Sequence, residues 1–234
     1  MDPGKCDRER LIGRMMVDFN KARQNMVDCQ LRTNKITDSA VIEAFETVPR
    51  EAFIDNNHKS VAYSDENLAI GAGRCLMEPM VLARLVQELA ISSTDIVLDI
   101  ACGTGYSAAI LSRLSATVVA LESDASLATR AIAVLAELAA DNAVVVDGPL
   151  IEGYPKQGPY DVICIEGAVR EIPKALTDQL TDGGRLAAVI DNGVGPGRAV
   201  LMLKQGGIVS KRAIFDANIP PLPEFERSAG FVFR

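Results

Sequence analysis

The sequence contains no tryptophan, a single histidine (His58) and only five cysteines, which are widely spaced along the chain. No Cys-x-x-Cys pair occurs, so the clustered ligands of a structural zinc site are missing. Two of the cysteines, Cys102 and Cys164, lie in apolar runs, where a free thiol behaves as a small hydrophobe. We therefore expect reduced cysteines, no disulfide framework and no metal site.

Long apolar runs and an excess of basic residues are also absent. No apolar stretch approaches the ~20 residues needed to span a bilayer, and residues 1–16 lack the apolar segment of a secretory signal. Lys and Arg number 24 against 31 Asp and Glu, which gives a net charge of −7 without a basic run to hold phosphates. These features predict a cytoplasmic protein with neither a membrane nor a nucleic-acid partner.

The N-terminal part of the chain has helical patterning. Apolar residues at helical spacing predict a helix from about residue 18, and Thr37 or Asp38 is a candidate N-cap for a second helix over residues 39–48. Residues 54–78 are predicted to form a loop with short extended pieces. We expect residues 1–90 to be a helical extension that carries the acceptor-site loop, not an independent domain.

A different rhythm begins near residue 91, where apolar strands alternate with helices. Strands are predicted at residues 95–100, 117–122, 143–146, 160–165 and 184–190, and a final hairpin turns at Gly206-Gly207. Continuous apolar strands between helices indicate a mainly parallel sheet covered on both faces. The predicted fold class is α/β, with a Rossmann-like doubly wound sheet over residues 91–234.

A glycine-containing turn follows the first of these strands, in Asp99-Ile-Ala-Cys-Gly-Thr-Gly105. Gly103 and Gly105 permit a sharp bend and close approach of a ligand to the backbone. Ligands of open α/β sheets bind beyond the carboxyl ends of the strands. The pattern is G-x-G, with Ala108 at the third glycine position of the dinucleotide fingerprint, and by itself it equally fits a tight turn without a ligand.

Acidic residues follow three successive strands of the predicted sheet. Glu122 is placed to accept hydrogen bonds from two ribose hydroxyls, Asp147 to meet an adenine amino group, and Asp99 to meet an ammonium group. Such acids suit a cationic sulfonium nucleoside and suit a pyrophosphate poorly. The sequence therefore favours S-adenosylmethionine as the cofactor, S-adenosylhomocysteine as its product, and no metal.

The candidate cofactor-binding residues surround this turn and the following strand ends. They are Asp99, Ala101, Gly103, Thr104, Gly105, Tyr106, Glu122, Ser123, Asp147, Gly148 and Glu166. Two of them have open roles. Tyr106 could lie against the cofactor or cap the turn, and Glu166, which ends the fourth predicted strand, could select the methyl acceptor or be only a structural residue.

From about residue 23 to residue 215, the chain resembles the protein-L-isoaspartate O-methyltransferase family. The most specific segments are Val48-Pro-Arg-Glu-x-Phe53 and Leu68-x-Ile70-Gly71-x-Gly73, whereas the glycine turn indicates only a class I methyltransferase. The resemblance implies methyl transfer from S-adenosylmethionine to the α-carboxylate of an isoaspartyl residue in a damaged protein. The implied partner is a protein or peptide carboxylate, and catalysis would consist mainly of alignment and exclusion of water.

One segment, Arg74–Met80, departs from the family pattern. The family usually reads Gln-Thr-Ile-Ser here, so the two hydroxyls expected to hold the substrate carboxylate are replaced by Cys75 and Met77. A thiol donates weakly and a thioether does not donate, and Glu78 adds negative charge beside an anionic acceptor. Arg74 could pair with the substrate carboxylate or with Glu78.

These four residues are the candidate catalytic positions, and three functions stay open. The first is methylation of isoaspartyl residues. The second is the same fold acting on a different acceptor, such as a small molecule or another protein side chain. The third is a cofactor-binding protein without catalysis.

Overall fold

The computed structural model of the chain describes residues 18–226, so the expectations for residues 1–16 lie outside it. The α-helices of the described part are α1 (Phe19–Met26), α2 (Ser39–Thr47), α3 (Pro79–Leu89), α4 (Tyr106–Ser112), α5 (Ala125–Glu137) and α6 (Lys174–Asp178). The strands are β1 (Leu68–Gly71), β2 (Arg74–Leu76), β3 (Ile96–Ile100), β4 (Thr117–Glu122), β5 (Ala143–Asp147), β6 (Tyr160–Val169), β7 (Leu180–Ile190), β8 (Arg198–Gln205) and β9 (Ile208–Asp216). Across the described residues, no helix is both long and apolar enough to cross a membrane.

Seven strands form one sheet in the order β5-β4-β3-β6-β7-β8-β9. The first five are parallel, and β8 and β9 add an antiparallel hairpin at one edge. The predicted α/β class and the final hairpin are therefore confirmed. Because the chain moves outward from β3 to β5 and then returns to β6 on the other side, the sheet has its switch point between β3 and β6, where open α/β sheets form a ligand crevice.

The N-terminal helices and one face of the sheet share a single hydrophobic core. Phe45 of α2, Leu85 of α3 and Val97 of β3 all belong to it and are fully buried. Asp38, rather than Thr37, caps α2, because its carboxylate accepts hydrogen bonds from the backbone N–H groups of Ala40 (2.9 Å) and Val41 (3.3 Å). A cap of this kind contributes about 1 kcal/mol.

The predicted loop over residues 54–78 contains a short antiparallel hairpin, in which β1 pairs with β2. This hairpin carries Arg74 and Cys75, and two residues separate it from the start of α3. The glycines at 71 and 73 both have positive φ angles, +100° and +71°, so the turn needs residues that adopt the left-handed region.

Strand β6 is longer than the sequence predicted. Its pairing with β7 contains an irregularity: Cys164 lies opposite Ala187, and Ala168 lies opposite Val189. An advance of four residues along β6 therefore matches an advance of only two along β7. Pairing with β7 resumes at Ala168, whose backbone also bonds the C-terminal segment at Pro220 and Leu222. Glu166 therefore lies in a bulge within β6 and does not end the strand.

Candidate functional site

Three acidic residues lie along the carboxyl edge of the sheet, next to the switch point. Glu122 ends β4 and is paired in register with Asp147, which ends β5, whereas Asp99 is the penultimate residue of β3. Asp99 and Glu122 are completely buried, and Asp147 is exposed. The structure thus brings the three predicted acids to one edge, in two different environments.

The glycine turn between β3 and α4 folds back onto β4. Ala101, Gly103 and Gly105 have positive φ angles of 65°, 58° and 93°, and the Ala101 N–H donates to the Leu121 carbonyl at 2.9 Å. A Cβ at Gly105 would lie 3.2 Å from the Cβ of Ala131, so glycine here also permits close packing of α4 on α5. The turn is held by packing as well as by its backbone conformation.

Asp99 has one satisfied and one unsatisfied carboxylate oxygen. Ser107 Oγ donates to Asp99 Oδ2 at 2.7 Å, while Oδ1 is buried and has no hydrogen-bond partner among residues 18–226. Burial raises the pKa of Asp99 to about 7. The hydrogen bond from Ser107 opposes this shift, and the negative charge of Glu122 adds to it. A buried oxygen without a donor is suited to a cationic group such as an ammonium.

Glu166 lies on the other side of the switch point and is 5% exposed. The Cys164 thiol donates to its Oε1 at 3.1 Å. Burial and the nearby Asp99 charge hold the pKa of the Glu166 carboxyl well above its usual range, although the thiol hydrogen bond opposes the shift. Both causes favour the neutral carboxyl of Glu166 over its carboxylate.

Arg74 lies against the carboxylate of Glu122. Its Nε and Nη2 atoms are 3.2 and 3.1 Å from the two carboxylate oxygens, and Nη2 also contacts Ser123 Oγ (2.9 Å) and Glu224 Oε1 (2.6 Å). Of the two alternatives open from the sequence, pairing with Glu78 is not the one formed, because β2 directs the Arg74 side chain across to the end of β4. Glu224 was not identified from the sequence, since it follows β9 by eight positions and no motif surrounds it.

The β1–β2 hairpin and the C-terminal segment cover the glycine turn. A Cβ at Gly103 would lie 2.6 Å from Ile70 Cδ1, and one at Gly167, next to Glu166, would lie 2.6 Å from Leu222 Cγ. A surface hollow of about 420 Å³ lies beside Ile190 of β7 and Val200 of β8, and none of the three acids lines it. In this conformation Ile70 lies against Gly103 of the glycine turn, while Asp147 stays exposed.

The acceptor loop presents its two substituted positions differently. Met77 is 1% exposed and belongs to the main hydrophobic core. Cys75 is half-buried, and this burial raises the pKa of its thiol to about 11. The negative charge of Glu166 adds to the shift, and the positive charge of Arg50 opposes it. Glu78 precedes α3, where its backbone N–H donates to Asn67 Oδ1 at 3.0 Å. Of the two substituted positions, Cys75 therefore lies nearer to Glu166 and the switch point.

Arg50 is a completely buried cation that the sequence analysis recorded only as part of the Val48–Phe53 segment. Its Nε donates to the Ala62 carbonyl and its Nη2 to the Met77 carbonyl, each at 2.8 Å. Its guanidinium carbon lies 4.8 Å from the ring centroid of Tyr106. Arg50 thus fixes the backbone of the acceptor loop from the core side.

Two predicted cofactor residues have side chains directed into the protein. The ring of Tyr106 packs edge-on against Phe45 and Phe53, and the N-cap of α4 is Gly105 rather than Tyr106. The hydroxyl of Thr104 donates to the Phe53 carbonyl at 2.8 Å. Any contact that Thr104 makes with a ligand on the outer side of the turn would therefore come from its backbone.

The remaining predicted positions lie around the same edge. Ser123 Oγ bridges Arg74 and Glu224, and a Cβ at Gly148 would contact the Leu121 side chain at 3.3 Å. Within the described part of the chain, no group of three His, Cys, Asp or Glu side chains could hold a metal ion.

Comparison with known proteins identifies the family. A family model described as protein-L-isoaspartate (D-aspartate) O-methyltransferase matches residues 21–216. The chain belongs to this family. It is 41% identical to a protein-L-isoaspartate O-methyltransferase of Methanoculleus marisnigri over 170 residues, which cover 73% of this chain and 77% of that protein. A relative of the same name from a Roseiflexus species is 36% identical over 207 residues, covering 88% and 94%.

Solved structures show the same fold. One named protein-L-isoaspartate O-methyltransferase superposes with a TM-score of 0.75 and 25% identity, covering 85% of this chain and 65% of that chain, just under two thirds of its length. A Plasmodium falciparum structure assigned to the same family, in complex with S-adenosyl-L-homocysteine, gives a TM-score of 0.74 at 19% identity, covering 88% and 98%. The class I methyltransferase fold expected from the sequence is confirmed.

The protein-L-isoaspartate O-methyltransferase family depends on S-adenosylmethionine. The residue types at the acidic edge fit this cofactor, since Asp99 Oδ1 lacks a partner and Gly103 and Gly105 leave the backbone of the turn uncovered by Cβ atoms. The conformation fits less well, because Arg74 already holds Glu122 and Ile70 lies on Gly103.

Proposed function

We propose that this chain transfers a methyl group from S-adenosylmethionine to the carboxylate of an isoaspartyl residue in damaged protein. The family match over residues 21–216 carries the proposal. The acidic edge at the switch point supports it, because Asp99 and Glu122 are both buried near the carboxyl ends of the neighbouring strands β3 and β4.

Each residue of the edge has a proposed task. Asp99 would bind the ammonium of the cofactor, Glu122 its ribose hydroxyls and Asp147 its adenine amino group, with the backbone of the turn from Ala101 to Gly105 beneath it. The cofactor supplies a methyl group that its sulfonium has already activated. Since a carboxylate acceptor is already a nucleophile, the protein must mainly orient it and exclude water.

Arg50 and the N-terminal region have a supporting part in this proposal. By donating a hydrogen bond to the Met77 carbonyl, Arg50 would hold the acceptor loop in a fixed position relative to the sheet. The division into a helical region, residues 1–90, and a cofactor-binding unit, residues 91–234, is a proposal about roles. The shared core of Phe45, Leu85 and Val97 supports the view that the first region does not fold as a separate domain.

Transfer of labelled methyl to an isoaspartyl peptide tests the function, with the same peptide containing normal aspartate as the control. We expect incorporation into the first peptide only. Asp99→Asn should abolish it, because the ammonium of the cofactor would lose its charged partner. No incorporation above the aspartyl control would refute the proposed acceptor.

A second function is favoured by the acceptor side of the site. Cys75 and Met77 stand where the family has hydroxyls, and the buried carboxyl of Glu166 lies beside Cys75. These features fit an enzyme of the same chemistry with another acceptor, such as a small molecule or a different side chain. Methylation of lysate metabolites or proteins, in the absence of isoaspartyl methylation, would establish this alternative.

We also propose that the protein works in the cytoplasm and does not act on nucleic acids. The net charge of −7 supports the second statement, and the four described cysteines, all free thiols, support a reducing compartment. Cell fractionation tests the first, and incubation of labelled cofactor with RNA and DNA tests the second.

A further inference from the structure

The carboxylate of Glu122 has no hydrogen-bonding capacity left over. Its Oε1 accepts from the backbone N–H groups of Ser123 (2.8 Å) and Asp124 (3.0 Å), and its Oε2 from that of Gly103 (2.9 Å). Arg74 adds two further donors at 3.1 and 3.2 Å. A carboxylate offers about four lone-pair sites, so these five donors within 3.2 Å saturate it.

The two donors of Arg74 approach as a fork, one to each oxygen. A ribose diol would use the same bidentate approach to a carboxylate at the end of this strand. The three backbone donors belong to the turn and to the start of α5, and they are fixed by the fold. Arg74 is therefore the donor group that must leave if ribose hydroxyls are to bind Glu122.

Arg74 is also firmly held where it lies. The side chains of Arg74 and Glu122 are 1% and 0% exposed, so solvent screens their attraction only weakly. Glu224, from the segment after β9, contacts the guanidinium at 2.6 and 3.1 Å, and Ser123 Oγ contacts it at 2.9 Å. Partial burial tends to raise the pKa of Glu224, but the hydrogen bonds from Arg74 and Ser123 outweigh it and lower this pKa below its usual range. Glu224 is therefore charged.

We propose that Arg74 is an internal competitor for the ribose site of this chain, occupying Glu122 until the nucleoside cofactor displaces it. The inference rests on the proposed use of Glu122 for ribose, and it makes Arg74 a determinant of cofactor affinity. Ile70 belongs to the same hairpin and lies against Gly103. A shift of the hairpin would therefore move Ile70 as well as Arg74. Entry of the cofactor thus requires the β1–β2 hairpin to shift away from the turn.

Calorimetric titration of the full chain with S-adenosylhomocysteine tests the competition without relying on catalysis. Arg74→Gln removes the charge and the bidentate guanidinium contact and should lower the dissociation constant at least about tenfold, because the binding-competent state no longer has to be populated against the ion pair. Arg212→Gln is the matched control, since Arg212 pairs with Glu88 on the surface at 2.6 Å, away from the acidic edge. Its affinity should equal that of the unaltered chain.

Arg74→Lys covers the case in which Arg74→Gln leaves Glu122 uncompensated and the chain does not fold. A lysine at this position keeps the positive charge but cannot make the bidentate contact. The Arg74→Lys variant should therefore bind S-adenosylhomocysteine a few-fold more tightly than the unaltered chain does. Equal or weaker affinity in the folded variants overturns the proposal. A gain in affinity without methylation of the isoaspartyl peptide would leave the competition standing and refute only the proposed acceptor.

Discussion

Substitution of Glu166 by glutamine and by alanine tests whether the site needs the neutral or the ionised form of this carboxyl group. Glu166 faces Asp99 from β3, Cys164 on its own strand, Cys75 from β2 and Cys102 from the glycine turn. None of these four neighbours is a cation, although the charges of Arg50 and Arg74 act on Cys75 and Cys102. Burial and the Asp99 charge raise the pKa of Glu166, and the neutral acid carries an O–H donor.

A neutral Glu166 would replace the hydroxyls that the acceptor loop lacks. Its Oε1 already accepts from the Cys164 thiol, so Oε2 would carry the O–H of the neutral acid. A hydrogen bond to a charged acceptor in a buried site contributes about 1.5–3 kcal/mol. Its loss corresponds to roughly a 10- to 150-fold decrease in kcat/KM for a carboxylate acceptor.

The assay is the pH profile of kcat/KM on the isoaspartyl peptide. Glu166→Ala should lose 10- to 150-fold, as estimated from the hydrogen bond, whereas Glu166→Gln keeps a neutral donor and should stay within about threefold at pH 7. Activity of the unaltered chain should fall as pH rises through the raised pKa of Glu166, because ionisation removes the donor. The glutamine variant cannot ionise, so it should not show this decline.

Equal loss of activity in the alanine and glutamine variants would refute the reasoning. That result would mean that the ionised form of Glu166 is needed, either to accept a proton from a neutral acceptor or to balance the charge of the cofactor. Glu137→Gln, at the exposed end of α5, is the matched control for removal of one negative charge.

Three further perturbations have defined outcomes. Because the pKa of Asp99 is raised to about 7, the folded chain binds more protons than the unfolded chain between about pH 4 and 7; its stability to urea should fall with rising pH there, by up to about 1.4 kcal/mol per unit, and Asp99→Asn should flatten the fall. Thr104→Val should lower the free energy of unfolding by about 1–3 kcal/mol by leaving the Phe53 carbonyl unpaired, with S-adenosylhomocysteine affinity unchanged; Thr129→Val, on the exposed face of α5, should have little effect. Cys75→Thr should raise kcat/KM on the isoaspartyl peptide roughly tenfold if the missing hydroxyl limits acceptor binding, and an unchanged value would contradict this.

The sheet and the acidic edge were predictable from the sequence because they depend on local patterns. Continuous apolar runs predicted β3 and β4, and their ends placed Asp99 and Glu122 at the same edge of the sheet. The glycine turn was predictable for the same reason, since Gly103 and Gly105 meet backbone requirements that few other residues meet. Periodicity therefore located the place where a ligand binds in this fold.

The partners of these residues were not predictable, because they depend on contacts between distant segments. Arg74 meets Glu122 across 48 positions and Glu224 across 150, and no local pattern encodes either distance. The bulge that keeps Glu166 within β6 arises from pairing with β7 and from the C-terminal segment. A sequence motif predicts which residue types are present, but only the tertiary contacts show which are already engaged.

Strand β2 links the two departures of this chain from its family. Side chains alternate along a strand, so Arg74 is directed to Glu122 on the cofactor side while Cys75 lies beside Glu166 on the acceptor side. A shift of the β1–β2 hairpin that frees Glu122 must also move Cys75 relative to Glu166. If the cofactor displaces Arg74 as proposed, a variant that loosens Arg74 should alter the KM for the acceptor as well as the affinity for the cofactor.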